Sequence, residues 1–347
     1  MDQVRNSRRL LLAVLMTWVA VGTSTNASAQ DANDWIRQRL GVEPATGRDN
    51  AQVIRLVRPL TQKFRDSVVQ VLSGGRPVAL GAVVSADGYI LTKRSELSGD
   101  PIRVRFANNE SLSARVAVVR RQNDLALLKV TAPQALRPVE FVGLTPETAT
   151  FFITPGRRGQ PIGIGVVGVQ ARKIVHKGRL GVLLDDSRPD LALVRGVFPK
   201  SGAQQAGIKP GDQIVAINDV TRQSRRAVID ALHTLFPGEN VRLTIIRKGD
   251  RMSIDAAIRE LDVLQETEND TKVNGRRSER LSGFDRVIQH DTVLDPDECG
   301  GPVLNSQGQA IGLNIARAGR VVSYALPGSL VISEIQSMLQ QARNNDS

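Results

Sequence analysis

Two stretches of short, strand-like runs flank a segment of different character, and this arrangement limits the possible folds of the chain more than any other feature. Residues 65–172 and 283–327 contain apolar runs separated by turns, such as Tyr89-Ile90-Leu91-Thr92 directly after Asp87-Gly88. An Asp-Gly pair between such runs is a strong hairpin signal, and short strands at regular spacing are typical of antiparallel barrels and sandwiches. The sequence therefore predicts a mainly β domain that is interrupted by a second module.

The interrupting segment has a clear local pattern of its own. A short helix is predicted around residues 203–206, a Pro210-Gly211 turn follows it, and residues 213–217 form a buried strand. The stretch closely resembles the signature of PDZ domains, which bind extended peptides, usually C-termini, by β-strand addition. We therefore expect an α+β PDZ domain over residues 175–260.

The PDZ resemblance implies where a ligand would bind. The loop Arg179-Leu180-Gly181-Val182 takes the position whose backbone N–H groups receive the terminal carboxylate of the ligand. Gly181 suits this loop because glycine adopts positive φ without strain. The following helix would present Ile229 and His233 to ligand side chains, although a plain turn at Gly181 and a solvated surface position for His233 remain open.

Three segments of the β domain carry a second resemblance, in a fixed order along the chain. Residues 85–92 resemble the strand pair before the histidine motif of HtrA (Deg) serine proteases, and residues 123–130 resemble their aspartate segment. Residues 284–305, with Cys299-Gly300-Gly301-Pro302, resemble the stretch around their nucleophile. The resemblance implies a trypsin-like double β-barrel with an inserted α+β PDZ domain.

Two of the three triad positions depart from the HtrA pattern. Ser95 stands where the resemblance implies the histidine, Asp124 keeps the aspartate, and Cys299 stands where it implies the serine. A serine hydroxyl cannot accept a proton near neutral pH, so the nucleophile would lack its base. Asp297 takes the place of a glycine whose backbone freedom helps to form the oxyanion hole. We therefore predict an inactive protease homologue that binds peptides or protein C-termini.

Other functions stay open from the sequence. Cys299 could act as the nucleophile of an endopeptidase, with His290 folding back as its base. It could also be a small residue in a retained turn, or a redox or metal-scavenging thiol. Asp124 is placed to orient a histidine at position 95, not one at position 290. A structural assembly component, in which both domains mediate oligomer contacts, is a further alternative.

The ends of the chain and its linkers complete the domain plan. Residues 1–29 have the basic head, apolar run and small-x-small site of a signal peptide, so export to the periplasm or the extracellular space is predicted. A retained membrane anchor and a twin-arginine export route remain alternatives. The remaining parts are an N-terminal segment and loose linker at 30–64, with an amphipathic stretch at 34–40, a solvated charged linker at 261–282 and a C-terminal helix within 283–347.

Charge and cysteine content exclude some functions. The net charge of +11 is spread along the chain without long basic blocks, so it can attract anionic surfaces but predicts no specific nucleic-acid site. One cysteine cannot form an intrachain disulfide, and the three histidines are scattered without metal-ligand spacing. No cofactor is expected. The expected partners are peptides, together with a second copy of the chain or an active HtrA-type protease.

Overall fold

The structure, a computed structural model, describes residues 51–264, 267 and 272–346. The predicted signal peptide and the amphipathic stretch at 34–40 lie outside the described residues. The first described element is helix α1 (Ala51–Gln62), which corrects the prediction of a loose linker up to residue 64. The main hydrophobic core is contacted by Val57, Leu60 and Phe64. This packing stabilises the segment as a helix.

The first barrel is built from six antiparallel strands. They are β1 (Val68–Ser73), β2 (Arg76–Val83), β3 (Tyr89–Lys93), β4 (Ile102–Arg105), β5 (Ser111–Arg120) and β6 (Leu125–Val130). The strands close in the order β1-β2-β3-β6-β5-β4. Val69, Ile90 and Leu128 are among the buried side chains that fill the interior, so the core is made of branched aliphatic residues.

The second barrel is divided in the sequence. Its first two strands are β7 (Phe151–Pro155) and β8 (Pro161–Ile174). Residues 140–142 form no strand, because Phe141 makes only a single bridge, to Ala310. After β8 the chain leaves the barrel.

The inserted module is a compact α+β unit. Its strands are β9 (Gly178–Arg179), β10 (Val182–Leu184), β11 (Val194–Val197), β12 (Gln213–Ile217), β13 (Val220–Thr221), β14 (Asn240–Arg247), β15 (Asp250–Ala257) and β16 (Arg259–Glu260). They form a four-stranded sheet, β13-β12-β14-β15, and two short pairs, β10-β11 and β16-β9. Ser201 caps helix α2 (Gly202–Gln205), and Ser224 caps helix α3 (Arg225–Leu232), each by accepting a backbone N–H bond.

The return to the barrel contradicts the prediction of a solvated linker at 261–282. Helix α4 (Leu261–Leu264) begins this stretch, and Ser278, Arg280, Leu281 and Ser282 are buried at its end. The Arg280 guanidinium is buried because it donates to three backbone carbonyls, those of Arg121, Ser282 and Gly283. The polar composition of this stretch does not prevent the burial of Arg280, because each of its guanidinium nitrogens donates to a carbonyl.

The second barrel closes after the insertion. Its remaining strands are β17 (Phe284–His290), β18 (Pro302–Leu304), β19 (Ala310–Gly319) and β20 (Val322–Pro327), followed by helix α5 (Gly328–Asp346). The order is β17-β20-β19-β18-β7-β8, so β17 returns to pair with β8, the strand from which the chain left. The two closed barrels confirm the predicted mainly β, double-barrel fold. In the part of the chain that the structure describes, each helix is too short or too polar to span a bilayer.

Candidate functional site

Ser95 and Asp124 meet inside the protein, where strands β3 and β6 run side by side. Ser95 Oγ donates to Asp124 Oδ2 at 2.7 Å, and Ser95 N–H donates to Asp124 Oδ1 at 3.0 Å. Both side chains are buried. Burial raises the pKa of the Asp124 carboxyl, while the Arg280 guanidinium, 3.8 Å from Oδ1, acts in the opposite direction. The hydroxyl of Ser95 is thus a fixed donor to the carboxylate.

Cys299 is also buried, in the turn that precedes β18. Burial raises the pKa of its thiol to about 11, although the nearby Lys93 ammonium favours the thiolate. Its sulfur lies 3.7 Å from the carbonyl oxygen of Asp295. Because a thiolate is the nucleophilic form of cysteine, a thiol with this pKa is weakly nucleophilic at neutral pH.

The backbone N–H groups of Cys299 and Gly300 both form hydrogen bonds within the protein. Residues Pro296–Glu298 form a 3-10 turn, and Cys299 N–H donates to the Pro296 carbonyl at 3.3 Å. Gly300 N–H donates to the Asn314 carbonyl at 2.7 Å. In an acyl-transfer site the N–H group at the nucleophile position would point to the developing oxyanion. Here this N–H group already has a partner within the protein.

Lys93 is a member of this site that the sequence reasoning missed. Its side chain is completely buried at the end of β3, and its Nζ lies 2.9 Å from Glu96 Oε1, 3.0 Å from Ser278 Oγ and 3.2 Å from the Pro296 carbonyl. Burial disfavours the charged amine, but the attraction of Glu96, Cys299 and Asp124 together outweighs this effect, so the pKa of Lys93 is raised. The sequence signal was a lysine directly after four apolar or small strand residues.

His290 lies in β17 and is buried. Its Nδ1 is 2.8 Å from the hydroxyl of Thr292, and its ring packs on Phe152 with the centroids 5.1 Å apart. Burial lowers the pKa of His290 to about 4. The contacts of this ring are therefore with Thr292 and Phe152, and its basicity is well below that of an ordinary imidazole.

A loop of the inserted module covers the Ser95–Asp124 pair. We call residues 234–239, between α3 and β14, the docking loop. A Cβ placed on Gly238 would lie 3.0 Å from Ser95 Cβ, and the positive φ of 82° at Gly238 suits glycine. Glu239 accepts two bonds of 2.6 Å from Arg121, and its Oε1 lies 3.1 Å from Arg94 Nη1. The inserted module is therefore anchored directly over the Ser95–Asp124 pair.

Phe236 strengthens the same contact. Its ring centroid is 4.3 Å from the Arg280 guanidinium carbon and 5.5 Å from that of Arg121. Cations close to an aromatic ring gain electrostatic stabilisation, more so when they are desolvated. No sequence signal pointed to the docking loop, because its partners are distant in the chain.

The second candidate site is a groove of about 440 Å³ on the inserted module, between β10 and α3. All six residues that the PDZ resemblance implied line this groove: Arg179, Leu180, Gly181, Val182, Ile229 and His233. Gly181 has a φ of 87°, the region that glycine tolerates. The carbonyls of Leu180 and Gly181 accept bonds from Ala203 N–H at 3.0 Å and Phe198 N–H at 2.9 Å.

Further residues of the groove were not predicted. Leu232 and Phe198 add to its apolar lining, Arg225 supplies a cation, and Leu261 and Leu264 of α4 form part of one wall. His233 lines the groove and is also exposed to solvent, so both of its predicted environments apply. Arg225 and the two leucines were missed because no local pattern relates them to the loop at Gly181.

Comparison with known proteins gives a consistent assignment. The PDZ domain family matches residues 163–258, a range that begins inside barrel strand β8. A probable periplasmic serine endoprotease, DegP-like, of Hahella chejuensis is 24% identical over 72% of this chain and 75% of its own length. The protein of the same description from Brucella suis is 24% identical over 53% of both chains. The periplasmic pH-dependent serine endoprotease DegQ of Escherichia coli is 25% identical over 34% of this chain and 30% of its own length.

The alignment with the Brucella relative thus spans about half the length of that protein. All three relatives are periplasmic by name, which confirms the predicted location outside the cytoplasm. The two closed barrels and the PDZ match agree with the double barrel and inserted PDZ domain that the sequence predicted. The chain therefore resembles the HtrA (Deg) serine proteases, and its fold is a trypsin-like double barrel that carries a PDZ domain.

Proposed function

We propose that this protein is a non-catalytic HtrA homologue that binds extended or C-terminal peptides in the groove between β10 and α3. The observation that carries the proposal is the groove itself, which joins a glycine loop at positive φ to an apolar channel. The barrels then serve as a scaffold or as a partner surface, for a second copy or for an active HtrA-type protease.

The open edge of β10 supports binding by strand addition. In the described sheets β10 has one neighbour, β11, and the groove lies along its other side. An added peptide strand would find backbone partners on β10 and apolar contacts with Ile229 and Leu232. The loop at Gly181 would then receive the terminal carboxylate.

Four observations support the absence of proteolysis. The position of the general base carries a hydroxyl that is bonded to Asp124, and the thiol of Cys299 has a pKa of about 11. The Cys299 N–H group bonds to Pro296, and the docking loop covers Ser95. In subtilisin, loss of the serine or the histidine alone lowers kcat by about 2 × 10⁶, so several defects together would leave almost no turnover.

Peptide binding is tested with the whole chain and a library of fluorescent peptides, measured by polarisation. We expect saturable binding that requires a free C-terminal carboxylate. Gly181→Ala should abolish it, because any side chain at Gly181 meets Ser201 and a φ of 87° is strained. Gly207→Ala is the matched control, since Gly207 has a φ of 75° with open space around it. Ile229→Glu tests the groove without backbone strain, and binding that survives it would contradict the proposal.

The absence of proteolysis is tested with casein and fluorogenic peptides. We expect no turnover above a blank by the purified protein, and none that distinguishes it from Cys299→Ala. Robust turnover that disappears in Cys299→Ala would show that the protein is a cysteine endopeptidase instead.

A further inference from the structure

The groove between β10 and α3 has two ends, and the neighbours of α3 identify them. A Cβ placed on Gly178 would meet the carbonyl of Leu235, so α3 ends beside the loop that contains Gly181. At the other end, the N–H group of Arg225 donates to the carbonyl of Pro189 at 3.2 Å. Pro189 lies in the connection that follows β10. Arg225 and Gly181 therefore lie at opposite ends of the groove.

The face of α3 that lines the groove changes from apolar to cationic along its length. Arg225 is the first residue of the helix, and Ile229 and Leu232 follow it at intervals of four and three residues. This spacing places the three side chains on one face of a helix. A peptide with its C-terminus at the Gly181 loop would pass Leu232 first and Arg225 last.

The guanidinium of Arg225 is available to a ligand. Within the described part of the chain, its side chain forms neither a hydrogen bond nor an ion pair. Its Nε is buried without a hydrogen-bond partner, but the residue as a whole is only half-buried and lines the groove. The Nη groups are therefore the atoms that a bound peptide would reach. The next residue, Arg226, differs because it is exposed and lies 2.9 Å from Asp230.

The carboxylates of the connection between β10 and β11 are engaged with other groups. Asp186 lies 3.7 Å from Arg195, and Asp190 lies 3.7 Å from Arg188. Asp185 accepts two hydrogen bonds from the residue two positions later. These local contacts keep the three carboxylates within their own connection, and a carboxylate of a ligand could form a charge-assisted, two-point contact with the guanidinium of Arg225.

The length of α3 sets the position of such a carboxylate in the peptide. Leu232 follows Arg225 by seven residues, a rise of about 10 Å along the helix. An extended peptide advances about 3.3 Å per residue, so two to three residues cover this length. Alternate side chains of a strand point to the same side, so the residue two positions before the C-terminus faces α3 as the terminal residue does.

From these positions we infer that the groove selects peptides with an apolar C-terminal residue and an aspartate or glutamate two positions before it. Arg225 sets the acidic preference, and the apolar lining at Leu180, Leu184 and Leu232 receives the terminal side chain. The inference rests on the proposed function, because it presupposes that the groove binds C-terminal peptides. It adds the chemical class of the ligand and the residue that selects it.

The test uses the whole chain and two fluorescent ten-residue peptides, measured by polarisation. The peptides are identical except that one ends in Glu-Ala-Leu and the other in Lys-Ala-Leu. We expect the glutamate peptide to bind about tenfold or more tightly, as a charge-assisted hydrogen bond allows. This preference should shrink in high salt, because part of it comes from an accessible charge pair.

Arg225→Glu should reverse the preference, so that the lysine peptide binds more tightly than the glutamate peptide. A gain of affinity for one peptide cannot result from loss of folding. Arg226→Glu is the matched control, since Arg226 is exposed and paired with Asp230, and it should keep the original preference within about twofold.

Two failures can be told apart. Equal binding of both peptides by the unmodified protein, or an unchanged preference in Arg225→Glu, would overturn the acidic selection and leave peptide binding in place. If neither peptide nor any member of the C-terminal library bound, the proposed function itself would fail, and this inference with it.

Discussion

The hydroxyl of Ser95 has a structural task, because it donates to a buried carboxylate oxygen of Asp124 at 2.7 Å. Ser95→Ala removes this donor and leaves Asp124 Oδ2 without its hydroxyl partner. Hydrogen bonds to charged groups contribute about 1.5 to 3 kcal/mol, so we expect the free energy of unfolding to fall by about that amount. Urea denaturation of the two proteins measures the difference.

Ser85→Ala is the control for this measurement. Ser85 also donates its hydroxyl to a carboxylate, that of Asp87, but the pair lies at the exposed turn between β2 and β3. Its loss should change the free energy of unfolding by less than about 0.5 kcal/mol. Losses of equal size at both positions would show that burial does not give the Ser95–Asp124 bond its importance.

Cys299 should make the stability of the protein depend on alkaline pH. Burial raises the pKa of its thiol from the ordinary 9.0 to about 11. Between these values the unfolded chain releases the proton while the folded chain keeps it, so the folded state loses stability as the pH rises. One pKa unit corresponds to about 1.4 kcal/mol, and the expected loss at the upper end is therefore about 2 to 3 kcal/mol.

Comparison with Cys299→Ala isolates this effect, because lysines and tyrosines titrate in both proteins. Denaturation at several pH values from about 8 to 11 should show that the stability advantage of the cysteine protein shrinks above pH 9. A difference between the two proteins that stays constant over this range would contradict the raised pKa.

Among the elements, the docking loop at 234–239 gives a prediction of its own. Glu239 joins Arg121 and Arg94 across the boundary between the inserted module and the first barrel. Glu239→Gln removes the charge and should destabilise this contact by about 1.5 to 3 kcal/mol. We expect faster amide hydrogen exchange in the docking loop and in the backbone around Ser95, measured by mass spectrometry.

The matched control for the docking loop is Asp230→Asn. Asp230 pairs with Arg226 on the exposed face of α3, and such surface pairs contribute less than about 1 kcal/mol. Exchange around Ser95 should therefore stay unchanged in Asp230→Asn. If both variants accelerated exchange there equally, a general loss of charge would explain the result better than a broken contact.

The elements that could be predicted are those determined by residues close together in the sequence. Strand β12 and the hairpin of β2 and β3 were predicted because alternation and turn residues lie within a few positions of each other. Helix α1 was missed although Val57 and Leu60 have helical spacing, since Gly, Pro and Asn nearby favoured a linker. Arg280 was expected in solvent, and its burial depends in part on contacts with Arg121 and Asp124, which are distant in the sequence.

At the scale of the whole molecule, restoring the triad residues alone should not restore proteolysis. In Ser95→His with Asp297→Gly and Cys299→Ser, the docking loop would still lie on position 95, and Lys93 would still bind the Pro296 carbonyl. We expect no casein turnover and no labelling by a fluorophosphonate probe. An active HtrA-type protease serves as the positive control, and labelling of the restored serine at a comparable rate would contradict this prediction.

The two candidate sites differ in how much of each the sequence revealed. The groove between β10 and α3 was largely predictable, because its loop and helix belong to one contiguous module. Six of its lining residues follow from the PDZ pattern. The degenerate triad was predictable only at Ser95, Asp124 and Cys299. Its cover by Gly238 and the contacts of Lys93 with Ser278 and Pro296 depend on how separate domains pack. The sequence alone contains no local signal for such packing.

The pairing of β8 with β17 has a consequence for the order of folding. Ile174 at the end of β8 lies opposite Phe284 at the start of β17. The two strands are therefore antiparallel neighbours, and the inserted module lies in the connection between them. Before the inserted module forms, pairing β8 with β17 brings together the ends of a loop of roughly 100 residues. Once the module has folded, with β9 paired to β16, roughly 30 residues of free chain remain, and the entropy lost on closure falls by about 1 kcal/mol. The inserted module is therefore the natural nucleus, and closure of the second barrel is a later kinetic step.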